Sequence, residues 1–393
     1  MNRLLNWLVA PAKHSTRLEE KAAGGLIAFH AAGAPMWSTF ETSGHETGYC
    51  RNPIVYRCVR MISEAASMLP LRVCEARIDC DEHPVLDLLA KPNERQSRTA
   101  FLETLFSHLL VSGNAYVTQI ELDGTVQELH ALEPGKVTPV LDGSGWPAAY
   151  DYQHGSSKTR YESGGKSEIL HLALFNPVDQ INGLPPLAAA HMALDIHNAA
   201  SAWNKALLDN SARPSGALVY ASSGGENLSQ DQFDRLKTEL EEGYTGASRA
   251  GRPMVLEGGL DWKAMGYSPR DMDFLQAKNG AAREIALAFG VPPMLLGIPG
   301  DNTYSNYQEA NRAFWTQTVL PLAEKTAQDL GGWLSGMFGG GLDIRLDTEG
   351  IPALASEREA HWNRVGTAEF LTANEKREAF GYPPLEEEFL RDD

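Results

Sequence analysis

The sequence is short of the residues that staple, metallate or anchor a chain. Its four cysteines, Cys50, Cys58, Cys74 and Cys80, form no C-x-x-C pair. They read as reduced, incidental thiols of a cytoplasmic protein, not as a disulfide framework. No stretch approaches the ~20 apolar residues that a membrane-spanning helix needs. No G-x-x-x-x-G-K-[ST] is present, which argues against nucleotide hydrolysis by a phosphate-binding loop. Positive charge is also scarce: 34 Lys and Arg face 51 Asp and Glu, for a net charge of −17. So acidic a surface repels phosphates instead of gathering them. A protein that coats its main surface with nucleic acid is disfavoured, whereas one that lets DNA pass without sticking is not.

What is present is ordinary in bulk. With 43% hydrophobic and 22% charged residues over 393 positions, the chain suits two or three folded units with a substantial core. Its start, MNRLLNWLVAPA, imitates a secretory signal, but the apolar run from Leu4 to Ala10 is short and broken by Asn6. An amphipathic arm that packs on a neighbour is the expectation, and residues 1–50 read as loosely held.

Helical periodicity begins at residue 53, where Ile54, Val55, Cys58, Met61, Ile62 and Ala65 share a face. The strand LPLRV and the proline-flanked short helix in HPVLDLLAKPN follow. TAFLETLFSHLL predicts an amphipathic helix closed by Gly113, and NAYVTQIEL, DGT and VQELHAL predict a hairpin. Short strands continue to about Leu172, giving an α/β domain whose strands are mostly antiparallel.

PPLAAAHMALDIHNAASAWNKALLDN predicts one long helix to Asn210, roughly 36 Å at 1.5 Å per residue. Residues 216–266 read as a compact insert of strand GALVY, helix LSQDQFDRLKTELEEGY and strand PMVLEGG. Capping boxes at Ser268/Asp271 and Ser305/Gln308 start two further helices. The first ends at VPP and the second is kinked by Pro321. The strand LDIRL and two short helices follow, the second capped by Thr372 and Glu375 and stopping at Gly381. A helix, an insert and a returning helix make a stalk whose apolar sides one copy cannot cover. Burial by neighbouring copies, at ~25 cal/mol per Å², predicts an oligomer. A closed ring is one symmetric way to supply head-to-tail neighbours.

Seven segments, in order, resemble the portal proteins of long-tailed bacteriophages with the common capsid fold. They are NPIVYRCVRMISEAASMLPLRV, HPVLDLLAKPN, LLVSGNAYVTQI, EILHLALFNPVDQINGLPPLAAA, REIALAFGVPPMLLG, YSNYQEANRAFWTQTVLPLAEKTAQDL and LTANEKREAFGYPPL. They cover most of residues 52–385, and the modest length also resembles a portal from a phage-derived gene transfer agent. The resemblance implies an α+β portal fold. Residues 1–50 are then an arm, 51–184 an α/β wing, 185–210 a first stem helix and 211–267 an α/β clip. Residues 268–290 are a second stem helix, 291–305 a tunnel loop, 306–352 a long kinked helix with a returning wing strand, and 353–393 helices of a small crown.

The same resemblance implies a twelve-subunit ring at one capsid vertex, with no cofactor and no catalysis of its own. Its implied partners are the terminase large subunit, a head–tail adaptor, the major capsid protein, and double-stranded DNA passing without sequence specificity. The implied DNA-facing residues are Gly300, Asp301, Asn302, Thr303, Tyr304, Ser305 and Asn306. This stretch carries no Lys or Arg, so its polar tips can meet a hydrated phosphate backbone without salt-bridging it. Glu239, Glu241 and Glu242 read most simply as a solvated helix face, and secondly as clip carboxylates for basic partner surfaces.

Other constellations have plainer readings. GGWLSGMFGGG runs helix, glycines, strand, the reverse of a phosphate cradle. The DMD at 271–273 complements a helix N-terminus, and DCDEH at 79–83 suits a solvated turn better than a metal shell. His191 and Asp195 share a helix face and would serve a soluble α/β hydrolase or transferase, the main rival reading. A ring-shaped connector elsewhere in a tail is the other.

Overall fold

The computed structural model describes residues 44–380 apart from 76–77, 81, 165–166, 210–215, 221–228, 233, 236–237, 239–259, 265–273 and 301–303. Two units divide the chain: residues 37–201 with 274–393, and residues 1–36 with 202–273.

In the larger unit α1 (Gly44–Arg51) precedes α2 (Pro53–Ser67). Asn52 sets the start of α2 because its side-chain oxygen accepts the Ile54 and Val55 N–H groups at 3.0 and 3.2 Å, and Pro53 needs no partner there. The buried face is Val55, Cys58, Val59, Ile62 and Ala66, with Ile54, Met61 and Ala65 at its margin. It is rotated from the expected face because the helices Arg98–Ser112 and Phe274–Ala288 both pack on it. After β1 (Leu71–Glu75), β2 (Ile78–Cys80) and α3 (Pro84–Ala90), Ser97 caps α4 (Arg98–Ser112). Gly113 ends α4 in the left-handed region at φ 78°, as its position predicts.

The hairpin β3 (Asn114–Leu122) and β4 (Thr125–Leu132) turns through Asp123 and Gly124, both with positive φ, the pair of conformations a tight two-residue turn requires. Three further strands, β5 (Val137–Leu141), β6 (Pro147–His154) and β7 (Ser157–Glu162), form a separate meander. β8 (Ile169–Ala173) then returns to pair with β3. The expected single long helix is two pieces, α5 (Pro186–Ala189) and α6 (His191–Asp209). Ala190 separates them, its N–H shared between the Pro186 and Ala188 carbonyls and its ψ at 0°.

The smaller unit shows β9 (Gly216–Tyr220) and β10 (Leu260–Ala264) paired antiparallel. Between them some residues from Gln230 to Thr238 are helical, as read from the sequence. The expected strand PMVLEGG and the Ser268/Asp271 capping box lie outside the described residues.

Returning to the larger unit, α7 (Phe274–Ala288) precedes α8 (Tyr304–Phe314), which runs through one π turn, Trp315–Val319, into α9 (Leu320–Phe338). Pro321 is the reason for the π turn. It has no N–H, and its ring would strike the carbonyl one turn back, so the helix widens just upstream and Leu320 donates to Trp315 O. β11 (Leu342–Leu346) crosses back to pair with β1, from Leu71 against Leu346 to Glu75 against Leu342. α10 (Ala355–Gly366) and α11 (Ala373–Ala379) follow, the latter opened by the Thr372/Glu375 capping box as expected. Gly381 lies outside the described residues.

Among the described residues all strand pairs are antiparallel, and the larger unit's sheets are ordered β11-β1-β2, β4-β3-β8 and β5-β6-β7. One core joins α2, α4, α7, α9 and β11 through Ile62, Phe101, Leu105, Ile285, Leu330, Leu334 and Ile344. Gly331 permits this closeness, since a Cβ there would lie 3.0 Å from Ile344 N. A second core of Tyr116, Leu132, Tyr150 and Ile169 sits between the two outer sheets.

Candidate functional site

The segment between α7 and α8 is built from its root upward. α7 ends in a Schellman motif: Gly290, at φ 67°, donates to Leu287 O at 3.0 Å, and Val291 donates to Ala286 O at 2.9 Å. Val291 is buried behind it, so the stop at VPP that the sequence shows has a local cause. The Thr318 hydroxyl, in the π turn, donates to Gly290 O at 2.6 Å. A Cβ at Gly290 would lie 2.6 Å from that hydroxyl, so only glycine fits.

A 3-10 turn at Pro293–Leu296 and Gly297 at φ 71° then reverse the chain. Ile298 is buried and donates to Pro293 O at 3.2 Å. The guanidinium of Arg283, on α7, donates to Pro299 O, and a Cβ on Gly300 would crowd it at 2.7 Å. The segment up to Gly300 is therefore held by specific bonds from α7 and the π turn.

Of the expected DNA-facing residues, Gly300 sits on this braced root. Asp301, Asn302 and Thr303 lie outside the described residues. Tyr304, Ser305 and Asn306 belong to the first turn of α8 and not to a loop, because the helix opens one residue before the expected Ser305 cap; Asn306 is exposed. Sequence reading missed Arg283 and Thr318, since neither its neighbours nor its spacing signals a bond to a backbone 16 or 28 residues away. It also missed Arg312, which bonds Glu309 Oε2 and Glu357 Oε1 at 2.8 Å each and so ties α8 to α10. Only the i,i+3 spacing of Glu309 and Arg312 was a visible sign. Glu239, Glu241, Glu242 and the DMD run lie outside the described residues.

The rival site has poor geometry. His191 Nε2 is 4.0 Å from Asp195 Oδ2, beyond the distance at which a carboxylate orients an imidazole for proton transfer. His83, in the acidic turn before α3, spends Nδ1 accepting the Val85 N–H at 3.2 Å and is a helix cap. The GGWLSGMFGGG run is the end of α9 and a glycine turn into β11, in the order the sequence suggested.

Comparison with known proteins bears on most of the chain. The family model described as phage portal protein matches residues 53–381. A protein of Rickettsia bellii (strain RML369-C) is 43% identical over 344 residues, covering 86% of this chain and 89% of that one. The portal protein of Enterobacteria phage HK97 is 27% identical over 344 residues, covering 84% and 78%. A chain in the neck of an empty gene transfer agent (GTA) particle, solved with C6 symmetry, is 48% identical with a TM-score of 0.71, covering 90% of this chain and 96% of that one. In the native particle's neck, solved with C12 symmetry, the TM-score is 0.69 at 48% identity, covering 90% and 97%. The braced turn between two helices, the π turn beside it and the returning β11 thus sit inside one continuous family match, and the chain belongs to the phage portal protein family.

Proposed function

We propose that this chain is the subunit of a twelve-membered portal ring in a particle of the gene-transfer-agent type, with double-stranded DNA moving along the ring axis. The observation that carries the reading is 48% identity across nine-tenths of the chain to a protein in a neck with C12 symmetry. In this reading residues 291–305 border the channel, and the residues of α6, the smaller unit and α7 form the stem and clip. The net charge of −17 supports it, since an acidic wall lets a duplex slide without binding. The chain acts as a conduit. Hydrolysis of nucleotide belongs to a terminase large subunit docked on the clip, later replaced by a head–tail adaptor, and the outer face meets the major capsid protein.

Purified protein examined by negative-stain imaging together with native mass measurement tests this. Closed rings of twelve copies with an axial hole wide enough for a duplex are the expected result. A persistent monomer or dimer across salt and protein concentration would sink the twelve-membered ring.

A further inference from the structure

Between β8 and α5 the chain makes a loop, residues 174–184, tied together by its own polar side chains. Three of its four polar side chains, those of Asn176, Asp179 and Asn182, bond within it, while Gln180 is exposed. Asn176 Oδ1 accepts the Val178 and Asp179 N–H groups at 3.0 and 3.2 Å, and its amide donates to Asn182 O at 2.8 Å. Asp179 accepts the Ile181 and Asn182 N–H groups at 2.8 and 3.2 Å and the Asn182 amide at 2.9 Å.

The root is clamped as firmly. Gly183 N–H donates to Asn114 Oδ1 at 2.8 Å, and Leu174 N–H donates to Gly113 O at 2.9 Å. The two backbones cross so closely that a Cβ on Gly183 would lie 2.0 Å from Gly113 O. Outward point Phe175 and Val178, 81% and 91% exposed. Scattered apolar residues on a surface are normal, but here a backbone fixed by the Asn114, Asn176 and Asp179 side chains presents Phe175 and Val178 to water.

We infer that this loop is a preformed contact onto the adjacent copy of the chain, with Phe175 and Val178 entering a different surface of the neighbour. The inference rests on the ring reading above. In a neck with C12 symmetry, as for the similar chain, every copy has an identical neighbour on each side. A ring contact is head-to-tail, so an apolar tip on one side requires a distinct receiving surface on the other and not a second tip. Leu275 and Leu287 of α7, 71% and 79% exposed, offer apolar surface of the kind the reciprocal side needs. Because the loop is already ordered in the single copy, binding loses little conformational freedom, which makes two side chains effective.

The test uses the full chain with Phe175→Ser and Val178→Asp introduced together, leaving Asn176, Asp179 and Asn182 untouched. The wild type is expected to form rings, and the variant to need about tenfold or more higher concentration to do so, with the same circular-dichroism melt for the isolated subunit. In the wild type, hydroxyl-radical labelling of Phe175 is expected to be strong in subunits and suppressed in rings, a readout that requires no variant to fold. Equal assembly of variant and wild type, or equal labelling of Phe175 in rings and subunits, overturns the inference while leaving the ring intact. Rings that form normally but fail to enter particles assign the loop to another virion protein and also overturn it. If the wild type forms no ring, the twelve-membered ring and this inference fall together.

Discussion

Between Tyr116, Tyr150 and Asn114 the imidazole of His171 is held neutral. Asn114 Oδ1, which also accepts the Gly183 N–H, accepts a hydrogen bond from the Nε2–H of His171 at 2.9 Å, while the Tyr150 hydroxyl donates to Nδ1 at 3.2 Å. Tyr116 stacks on the ring at 4.4 Å. Burial lowers the His171 pKa to about 4, and burial does the same to His108, also to about 4. An unfolded chain takes up these protons near the ordinary value of 6.5, so it binds more protons than the folded one between 6.5 and about 4. Stability should therefore fall as pH drops through that window, by about 1.4 kcal/mol per pH unit for each histidine at full effect, and no further on their account below it. Urea midpoints measured on the subunit from pH 7 to pH 4 check this. A flat profile between 6.5 and 4.5 would contradict it. None of this was legible in the sequence, where His108 and His171 are single histidines in a helix and a strand whose burial depends on distant partners.

At the scale of elements, β8 is the outer strand of its sheet, and α9 bonds the chain at its two ends. Lys325 Nζ donates to Ala173 O, and Trp333 Nε1 donates to Ser167 O at 2.9 Å. Trp333→Phe keeps most of the ring's contact and removes the N–H, so it should lower subunit stability by about 0.5–1.5 kcal/mol. Chemical denaturation of the variant reads this directly, and a wild-type midpoint would show that the bond contributes nothing. Element identities themselves were largely visible beforehand. The Thr372 cap, the left-handed Gly113 and the turn after Leu122 act on residues at most a few positions away. Helix continuity was less visible. The break at Ala190 and the π turn before Pro321 replace a simple rod and a simple kink.

For the whole molecule, the portal reading turns on a channel whose wall touches DNA weakly. Shortening the segment between Gly300 and Ser305 should leave ring assembly intact, because the root at Gly290, Ile298 and Pro299 is held by Thr318, Pro293 and Arg283. The packaged DNA per particle should nevertheless fall. DNA content unchanged by the deletion would remove the segment's proposed role while leaving the ring untouched. In that reading the acidity that disfavours nucleic-acid coating would act the same way, with like charges holding a duplex off the wall.

The sequence by itself determined the periodic helices and strands, their caps and turns, the oligomeric expectation and the family, because each depends on neighbours in the chain or on motifs in a fixed order. Tertiary structure alone decided that β11 closes onto β1 across some 270 residues, that Gly113 and Gly183 cross in contact, and that Arg283 grips Pro299 O. Those choices come from the competition of every apolar face for one core. A local stretch carries no record of which distant backbone will win.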